Sequence, residues 1–211
     1  MYRGVLADPE PMKRIDVAMK WPRVYRLWMG THAEKKLIPI MRHNDIGRLR
    51  RVLDVGCGPG TNAPHFSHTD YLGIDWNERY VRDARRRYSG RFQVADAAKL
   101  HVPVDERFDF ILVNSLLHHI DISATRSLLS HLPTLLMEGG HVHIIELVLP
   151  ETVSLPYILA RADRGEYARP IDEWHEIFKQ HFDEVVFEPF DVPICGIVFW
   201  KLIYFKGQAK I

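Results

Sequence analysis

The chain has 211 residues, of which 46% are hydrophobic and 26% are charged. This composition is typical of a globular protein and excludes an intrinsically disordered one. No apolar run reaches the roughly 18 residues of a membrane-spanning helix, and the N-terminus lacks the apolar stretch of a signal peptide. The two cysteines, Cys57 and Cys195, are too far apart in sequence to indicate a disulfide framework. We therefore expect a cytoplasmic protein with no membrane partner.

The charged residues are distributed unevenly, although the formal net charge is only +1. Residues 1–51 hold 12 Lys and Arg side chains against 5 Asp and Glu, and the remainder of the chain is acidic. A basic segment of this kind suits an anionic substrate or a nucleic acid, but it is more often the solvated side of helices. The sequence leaves both interpretations open.

Residues 1–48 are predicted to be a helical segment that precedes the first strand. The apolar spacing favours a helix over 22–41, with interruptions at Gly30 and Pro39. Glycine is flexible and proline lacks an amide donor, so both residues bend or break helices. We expect this segment to act as a lid or as a docking helix.

From residue 51 onward, short apolar strands alternate with helices, which predicts βαβ units around a parallel sheet. The predicted helices cover 77–88 and 123–137, and the second is expected to bend at Pro133 and to end at Gly139 and Gly140. The predicted strands are 51–55, 71–75, 92–96, 108–114 and 141–149.

The last third of the chain departs from this alternation. A helix predicted over 171–182, with Asp172 as its cap, is followed by strands at 183–192 and 196–207. The connection between these two strands is too short for a crossover helix, so the pair is predicted to be antiparallel. The stretch 150–170 is the longest one between regular elements.

A glycine-rich turn, VLDVGCGPG at 52–60, includes the end of the first strand. Glycines are needed there because the backbone must turn tightly and approach a ligand without a Cβ atom in the way. A helix expected just beyond the turn would offer free backbone N–H groups to an anionic part of the ligand. Asp75 ends the second strand 21 residues after Asp54, where an acidic residue can accept both hydroxyls of a ribose.

With these motifs in this order, the chain from about residue 49 to 206 resembles the class I S-adenosylmethionine-dependent methyltransferases that act on small molecules. The resemblance implies an α/β fold. The expected architecture is a Rossmann-like three-layer sandwich with a seven-stranded, mostly parallel sheet, an antiparallel C-terminal strand and an N-terminal helical cap. The resemblance also implies a methyltransferase domain over 49–211 with a cap insertion around 150–170.

The resemblance assigns a cofactor site for S-adenosylmethionine. It implies that Asp54 places the amino acid part of the cofactor and that Trp76 covers one face of the adenine. Asp96 and the backbone N–H of Ala97 would bond the adenine edge, and Asn114 would lie near the reactive sulfonium. The implied cofactor-binding residues are Asp54, Gly56, Gly58, Gly60, Asp75, Trp76, Asp96, Ala97 and Asn114.

The implied function is methyl transfer to oxygen, nitrogen or carbon of a small-molecule acceptor, with S-adenosylhomocysteine as the product. The sulfonium already activates the methyl group, so the protein chiefly aligns nucleophile, methyl carbon and sulfur. A general base is needed only where the acceptor must lose a proton. The candidate catalytic residues are His118 and His119, which follow the fourth strand, and Glu146 in the fifth, whose side-chain direction the strand alternation leaves open.

Substrate-binding candidates come from two segments. Tyr25 and Trp28 belong to the N-terminal helix, which related small-molecule methyltransferases fold over the active site, and they suit simple docking of that helix equally well. Arg161, Arg164 and Arg169 lie in the predicted cap and would clamp a carboxylate or phosphate unless they pair with neighbouring acidic residues.

No metal site is expected. The paired histidines His141 with His143, and His65 with His68, lack acidic or cysteine ligands at metal-site spacing. The expected partner is a small molecule, an anionic one if the arginines contact it, and nucleic acid is not expected. The oligomeric state, monomer or homodimer, is left open.

Three other functions compete with this interpretation. An NAD-dependent oxidoreductase would show G-x-G-x-x-G, but here Gly60 comes one residue early. A nucleic-acid methyltransferase that modifies base amines usually shows Asn/Asp-Pro-Pro-aromatic after the fourth strand, whereas 114–117 reads Asn-Ser-Leu-Leu. RNA methylation of another kind, or a non-methylating use of the same fold, stays open as an alternative.

Overall fold

The structure of the protein is a computed structural model, which describes residues 34–99, 106–163 and 165–210. None of the described helices combines the length and the apolarity needed to cross a membrane. The α-helices are α1 Ile38–His43, α2 Glu78–Arg87, α3 Ile122–His131, α4 Leu155–Ala162 and α5 Ile171–His181. The strands are β1 Arg51–Val55, β2 Asp70–Asp75, β3 Arg91–Val94, β4 Phe108–Asn114, β5 Leu136–Leu147, β6 Phe182–Ile194 and β7 Ile197–Ala209.

The seven strands form one sheet in the order β3-β2-β1-β4-β5-β7-β6. Strands β1 to β5 pair in parallel, and β7 runs antiparallel between β5 and β6. The predicted seven-stranded sheet with its antiparallel C-terminal strand is therefore confirmed. The chain leaves β1 towards β2 on one side and returns to β4 on the other, so the carboxyl ends of β1 and β4 flank the crevice where open α/β sheets bind ligands.

Apolar cores lie on both faces of the sheet and make it the middle layer of three. Along β1, Leu53 and Val55 belong to one core and Val52 belongs to the other. Helices α3 and α5 cover the first face, and α1, α2 and α4 cover the second. Because both faces are buried at the centre of the sheet, the central strands β1 and β4 are largely apolar.

The prediction of a helix over 123–137 is wrong at its C-terminal end. Helix α3 ends at His131, and the next four residues, Leu132–Leu135, form a 3₁₀ turn. Pro133 lies at the start of this turn, where its missing amide hydrogen and its ring prevent the α-helix from continuing.

The fifth strand is longer than the predicted 141–149, because β5 begins at Leu136 and includes Gly139 and Gly140. The two glycines lie within a break in the register between β4 and β5. A Cβ atom on Gly140 would lie 2.8 Å from the carbonyl oxygen of Phe108. Gly140 therefore allows close approach of the two strands, Gly139 adopts a positive φ, and neither glycine ends a helix.

Two local expectations about helix termini also fail. The connection from β1 to β2 contains a 3₁₀ turn at Ala63–Phe66, with Pro64 in it, instead of an α-helix. The glycine-rich turn itself must therefore supply the backbone N–H groups for an anionic ligand. In the last helix, the N-cap position is Pro170, and Asp172 lies in the first turn without capping it.

The described part of the N-terminal segment packs against the β6–β7 hairpin. The helix is interrupted next to Pro39: residues 34–36 are helical, Leu37 is a turn, and α1 begins at Ile38 with Pro39 in its first turn. The Lys35 ammonium donates to the carbonyl oxygen of Pro193 at 2.7 Å, and His43 Nε2 lies 2.6 Å from Glu188 Oε2. These contacts show that the segment just before α1 and the helix itself are docked.

Two glycines with similar backbone angles allow a test of how tightly the glycine-rich turn packs. Gly60 has φ +80° and Gly139 has φ +73°. A Cβ on Gly60 would lie 2.9 Å from the Tyr88 ring and 3.0 Å from the Ala84 Cβ, whereas nothing lies within 4 Å of one on Gly139. We expect Gly139→Ala to lower the free energy of unfolding by roughly 1–2 kcal/mol through backbone strain alone.

For Gly60→Ala we expect a loss of roughly 2–5 kcal/mol, because side chains near the end of α2 must also move. Equilibrium unfolding in urea measures both values. Equal losses for the two variants would show that the turn has room for a side chain, contrary to this account.

Candidate active site

Asp54, the fourth residue of β1, has a fully buried carboxylate. Its Oδ2 accepts hydrogen bonds from the Tyr71 hydroxyl at 2.5 Å and from Asn62 Nδ2 at 3.1 Å. Its Oδ1 has no hydrogen-bond partner among the described residues. Burial raises the pKa of Asp54 to about 6, although the two donors oppose the rise. A buried carboxylate oxygen without a donor is costly, so this position suits a cationic N–H donor from a ligand.

Asp75, at the end of β2, holds the glycine-rich turn in place. Its Oδ2 accepts from the backbone N–H of Gly58 at 2.9 Å, and its Oδ1 accepts from the N–H of Asn77 at 2.7 Å. Burial raises the pKa of Asp75, and these two hydrogen bonds lower it in part. Each carboxylate oxygen has a second acceptor site, so the side chain can also accept the two hydroxyls of a ribose.

Residues suited to an adenine ring follow the next strand ends along the same edge of the sheet. Trp76 comes directly after β2, and 72% of its surface is exposed, which leaves a large ring face available for stacking. Asp96 follows β3, the strand that pairs in parallel with β2, and its Oδ1 accepts from the Ala98 N–H at 3.0 Å. Ala97 is half-buried beside it. The predicted adenine residues thus lie on adjacent strand ends.

A chain of hydrogen bonds joins the carboxyl ends of β1 and β4. Asn62 Nδ2 donates to Asp54, and Asn114 Nδ2 lies 3.5 Å from the Asn62 Oδ1 that would accept from it. The Ser115 hydroxyl donates to Asn114 Oδ1 at 3.1 Å, and Lys36 Nζ donates to Ser115 Oγ at 2.8 Å. Ser115 has a positive φ of 54°, an uncommon conformation for a residue with a side chain.

His118 lies in the short 3₁₀ turn after β4, buried between two carboxylates. Its Nδ1 contacts Glu146 Oε1, and its Nε2 lies 3.3 Å from Asp163 Oδ1. Burial lowers the pKa of His118, but the two carboxylates outweigh burial and raise it to about 9. Both ring nitrogens thus face carboxylates that favour the protonated ring, and the role of His118 as a general base stays a prediction. His119 is exposed, and its catalytic role stays a prediction.

Glu146 faces the interior and not a substrate. It is fully buried, and its carboxylate accepts from the backbone N–H groups of Leu117 and Leu147, both at 2.7 Å, in addition to contacting His118. Burial raises the pKa of Glu146, but His118 and these N–H groups outweigh it, so the pKa is lowered. In the structure the side chain therefore fixes the shape of the turn after β4, and its catalytic role stays a prediction.

Two of the three arginines of the predicted clamp, Arg161 and Arg169, lie within the described residues. Arg169 is 8% exposed; its Nη1 donates to the Tyr167 carbonyl at 2.7 Å, and its Nε lies 2.8 Å from Glu173. Its guanidinium also stacks over Trp174, 4.9 Å from the ring centroid. Arg169 is thus used within the fold, which corrects its predicted contact with substrate. Arg161 is exposed. Tyr25, Trp28 and Arg164 lie outside the described residues.

One group of potential metal ligands comes together although the sequence spacing predicts none. Atoms of His118, His119 and Asp163 lie within 4.8 Å of one another. Both nitrogens of His118 already face carboxylates. We therefore assign the group as an ion-pair cluster.

Four polar residues of the site were not predicted as functional: Lys36, Asn62, Ser115 and Asp163. Asn62 had a local signal, since it is an amide side chain within the glycine-rich connection that follows Asp54. Lys36 had none, because it stands beside apolar residues of a docked segment, 79 positions before Ser115. Only the fold brings Lys36 and Asp163 to the end of β4.

Comparisons with known proteins agree with this geometry. Residues 52–140 match a family model described as a methyltransferase domain. An O-methyltransferase of Pyrenophora dematioidea is 28% identical over 190 residues, an alignment that covers 76% of this chain. The chain spans 65% of the length of that relative.

Solved structures share the fold. A 1,6-didemethyltoxoflavin-N1-methyltransferase of Burkholderia thailandensis, with bound 1,6-didemethyltoxoflavin and S-adenosylhomocysteine, has a TM-score of 0.67 at 21% identity, covering 98% of this chain and 93% of that one. An S-adenosylmethionine-dependent methyltransferase of Methanosarcina mazei has a TM-score of 0.66 at 16% identity, covering 82% and 98%. The matched methyltransferase domain, the similar O-methyltransferase and the shared fold together support the class I S-adenosylmethionine-dependent methyltransferase family that the sequence resembles.

Proposed function

We propose that the protein transfers a methyl group from S-adenosylmethionine to an oxygen or nitrogen atom of a small-molecule acceptor. The observation that carries the proposal is the unpartnered Oδ1 of Asp54, a buried carboxylate oxygen at the crevice between β1 and β4. The choice of acceptor atom follows the two relatives that are named as an O-methyltransferase and an N1-methyltransferase of a small molecule.

The described residues fit an adenosyl amino acid along the edge of the sheet. Asp54 Oδ1 would accept from the ammonium of the methionine part, which a carboxylate in a buried site binds strongly. The N–H groups of the glycine-rich turn, with Gly56 and Gly58 at positive φ, would lie against its carboxylate. Asp75 would accept from the ribose hydroxyls, while Trp76 stacks on the adenine and Asp96 bonds its amino group.

This binding mode would place the reactive end of the cofactor near Asn114 and Ser115, beyond the carboxyl end of β4. The bound cofactor supplies an electrophilic methyl group, so the protein needs chiefly to hold the acceptor in line with it. Excluding water from the site helps, because it strengthens the electrostatic interactions that hold both molecules.

The stretch 150–170 would act as a cap over the acceptor, as expected from the sequence. Its second half is fixed to the turn after β4, since the Tyr167 N–H donates to the His118 carbonyl at 3.0 Å. Gly165 lies so close that a Cβ there would be 2.1 Å from the His118 ring. Asp163, in the same stretch, also forms an ion pair with His118. In this proposal, His118, Glu146 and Asp163 shape the acceptor side of the crevice without taking part in the chemistry.

Cofactor binding tests the proposal directly. Calorimetric titration of the protein should show binding of S-adenosylmethionine and S-adenosylhomocysteine and no comparable binding of NAD. Incubation of cell extracts with cofactor carrying an isotopically labelled methyl group should then label a small molecule. Binding of NAD in preference to both adenosyl ligands would refute the proposal.

Replacing Asp54 should weaken cofactor binding without lowering the free energy of unfolding. In Asp54→Asn the amide oxygen can keep the contacts of Oδ2, but the charge facing the cofactor ammonium is lost. We expect S-adenosylhomocysteine to bind about 10–100-fold more weakly, because a hydrogen bond to a charged group contributes roughly 1.5–3 kcal/mol. Asp70→Asn, at the exposed start of β2, is the matched control and should bind normally.

The same variant should be no less stable than the wild type. The Asp54 carboxyl ionises with a pKa of about 6 in the folded protein against 3.8 for an unperturbed group. Its ionised form therefore destabilises the free protein by roughly 3 kcal/mol at pH 7, a cost that an uncharged amide avoids. Urea unfolding at pH 7 measures this. A less stable Asp54→Asn with unchanged affinity would contradict both statements.

The His118 ion pairs should contribute to stability in a defined pH window. Because the His118 pKa is raised to about 9 in the folded protein, its contribution is complete below about pH 6.5 and is lost as the pH rises through 9. We expect the difference in unfolding free energy between wild type and His118→Gln to shrink by about 2–3 kcal/mol from pH 6 to pH 9.5.

His175→Gln serves as the control for this measurement. His175 lies 2.5 Å from Glu184, but both side chains are about one-third exposed, so this pair contributes little. A His118→Gln difference that stays constant across the same pH range would show that His118 is not held as a cation.

A further inference from the structure

Lys36 has a buried amine at the acceptor side of the crevice. Only 8% of the residue is exposed, and its Nζ donates to Ser115 Oγ at 2.8 Å. Ser115 directly follows Asn114, the last residue of β4. If the cofactor binds as proposed above, the Lys36 amine lies next to the place where its methyl group is transferred.

The charged groups that face Lys36 belong to β5 and to the predicted cap. The negative charges of Glu146 and Asp163 raise the pKa of the Lys36 amine, but both carboxylates are already paired with His118. No carboxylate forms a salt bridge with Lys36 among the described residues. Burial lowers the pKa of Lys36, and the two carboxylates reverse only part of this effect. A buried lysine without its own counter-ion tends to lose its proton.

The hydrogen bonds at Ser115 determine which group is the donor in its contact with Lys36. The Ser115 hydroxyl donates to Asn114 Oδ1, so its oxygen accepts from Lys36. A neutral lysine amine has two N–H donors and one lone pair, and the bond to Ser115 uses only one N–H. The lone pair therefore stays available for a proton from the acceptor.

Resting on the methyltransferase function above, we propose that Lys36 is the general base that takes the proton from an O–H or N–H acceptor during methyl transfer. The acceptor oxygen or nitrogen forms a bond to the methyl carbon, and the carbon–sulfur bond breaks with its electron pair going to sulfur. The acceptor proton moves to Lys36 Nζ. The resulting ammonium loses that proton to solvent once the methylated product has left.

The charges in the site favour the transfer of the acceptor proton to Lys36. Before transfer, the positive charge of the sulfonium opposes protonation of a nearby amine. After transfer, the sulfur is neutral and the positive charge is on Lys36. The number of charges in the buried site thus stays constant, which avoids the cost of creating a new buried ion.

Lysine-selective NMR tests the protonation state without any acceptor. The sequence has nine lysines, so the side-chain ¹³Cε signals can be resolved, and the spectrum of Lys36→Met identifies the one from Lys36. We expect the Lys36 signal to titrate below the usual range of a lysine amine, because burial lowers its pKa. With S-adenosylmethionine bound, Lys36 should stay neutral to lower pH than with S-adenosylhomocysteine bound.

Turnover of the acceptor labelled in the extract screen tests the role in the reaction. We expect Lys36→Met to lower kcat about 10²–10⁴-fold with a smaller change in KM, which is the usual effect of losing a general base. Lys36→Arg should not restore activity, because a guanidinium cannot be deprotonated. Lys35→Met should turn over normally.

The two proposals fail in different ways. If S-adenosylmethionine does not bind the wild type, the methyltransferase proposal is refuted, whatever the state of Lys36. If the cofactor binds but Lys36 is protonated at pH 8 in the complex, or if Lys36→Arg retains normal kcat, the assignment of Lys36 as the base is overturned and methyl transfer stands.

Discussion

A carboxylate buried at the crevice of the sheet, with one oxygen left unpartnered, is the constraint on which the site depends. Asp54 is held by Tyr71 and Asn62 through one oxygen only. Folding thus buries a group that water would solvate well at a position where a ligand can complete its hydrogen bonds. Such a residue lowers the stability of the free protein and contributes favourably only when a ligand binds it, as is common at functional sites.

From Asp54 a line of polar contacts leads along the strand ends to the acceptor side. Asn62 and Asn114 bridge β1 to β4, and Ser115 extends the line to Lys36 on the docked N-terminal segment. Beyond Ser115, the turn is shaped by carboxylates that are matched to the His118 cation. The charges of His118, Glu146 and Asp163 are largely paired, while the Asp54 carboxylate is left for the cofactor and the Lys36 amine is left for the acceptor.

The cofactor side of the site could be predicted from the sequence because its residues belong to strand ends and the turns next to them. The glycine-rich turn after β1 and Asp75 at the end of β2 are separated by a short connection, so local spacing determines their arrangement. The acceptor side could not be predicted in this way. Asp163 meets His118 across 45 positions, and Lys36 meets Ser115 across 79, so both contacts depend on how the cap and the N-terminal segment dock.

The errors in the predicted elements have equally specific causes. Two glycines in a row suggested the end of a helix, yet Gly139 and Gly140 serve a register break inside β5, a feature that depends on the neighbouring strand. The histidines after β4 suggested a base, and only the fold shows that His118 is buried between two carboxylates, which raise its pKa to about 9. A residue type indicates which chemistry is available, and the tertiary environment decides which protonation state is used.

The claim that Asp54 receives the cofactor ammonium can be tested by counting protons. Calorimetric titration with S-adenosylmethionine at pH 6, in buffers of different ionisation enthalpy, gives the number of protons released on binding. With a pKa of about 6, Asp54 is half protonated in the free protein, and a bound cation should deprotonate it, so the account predicts release of about half a proton. Asp54→Asn should release none. Binding by the wild type without proton release at pH 6 would contradict the central role given to this carboxylate.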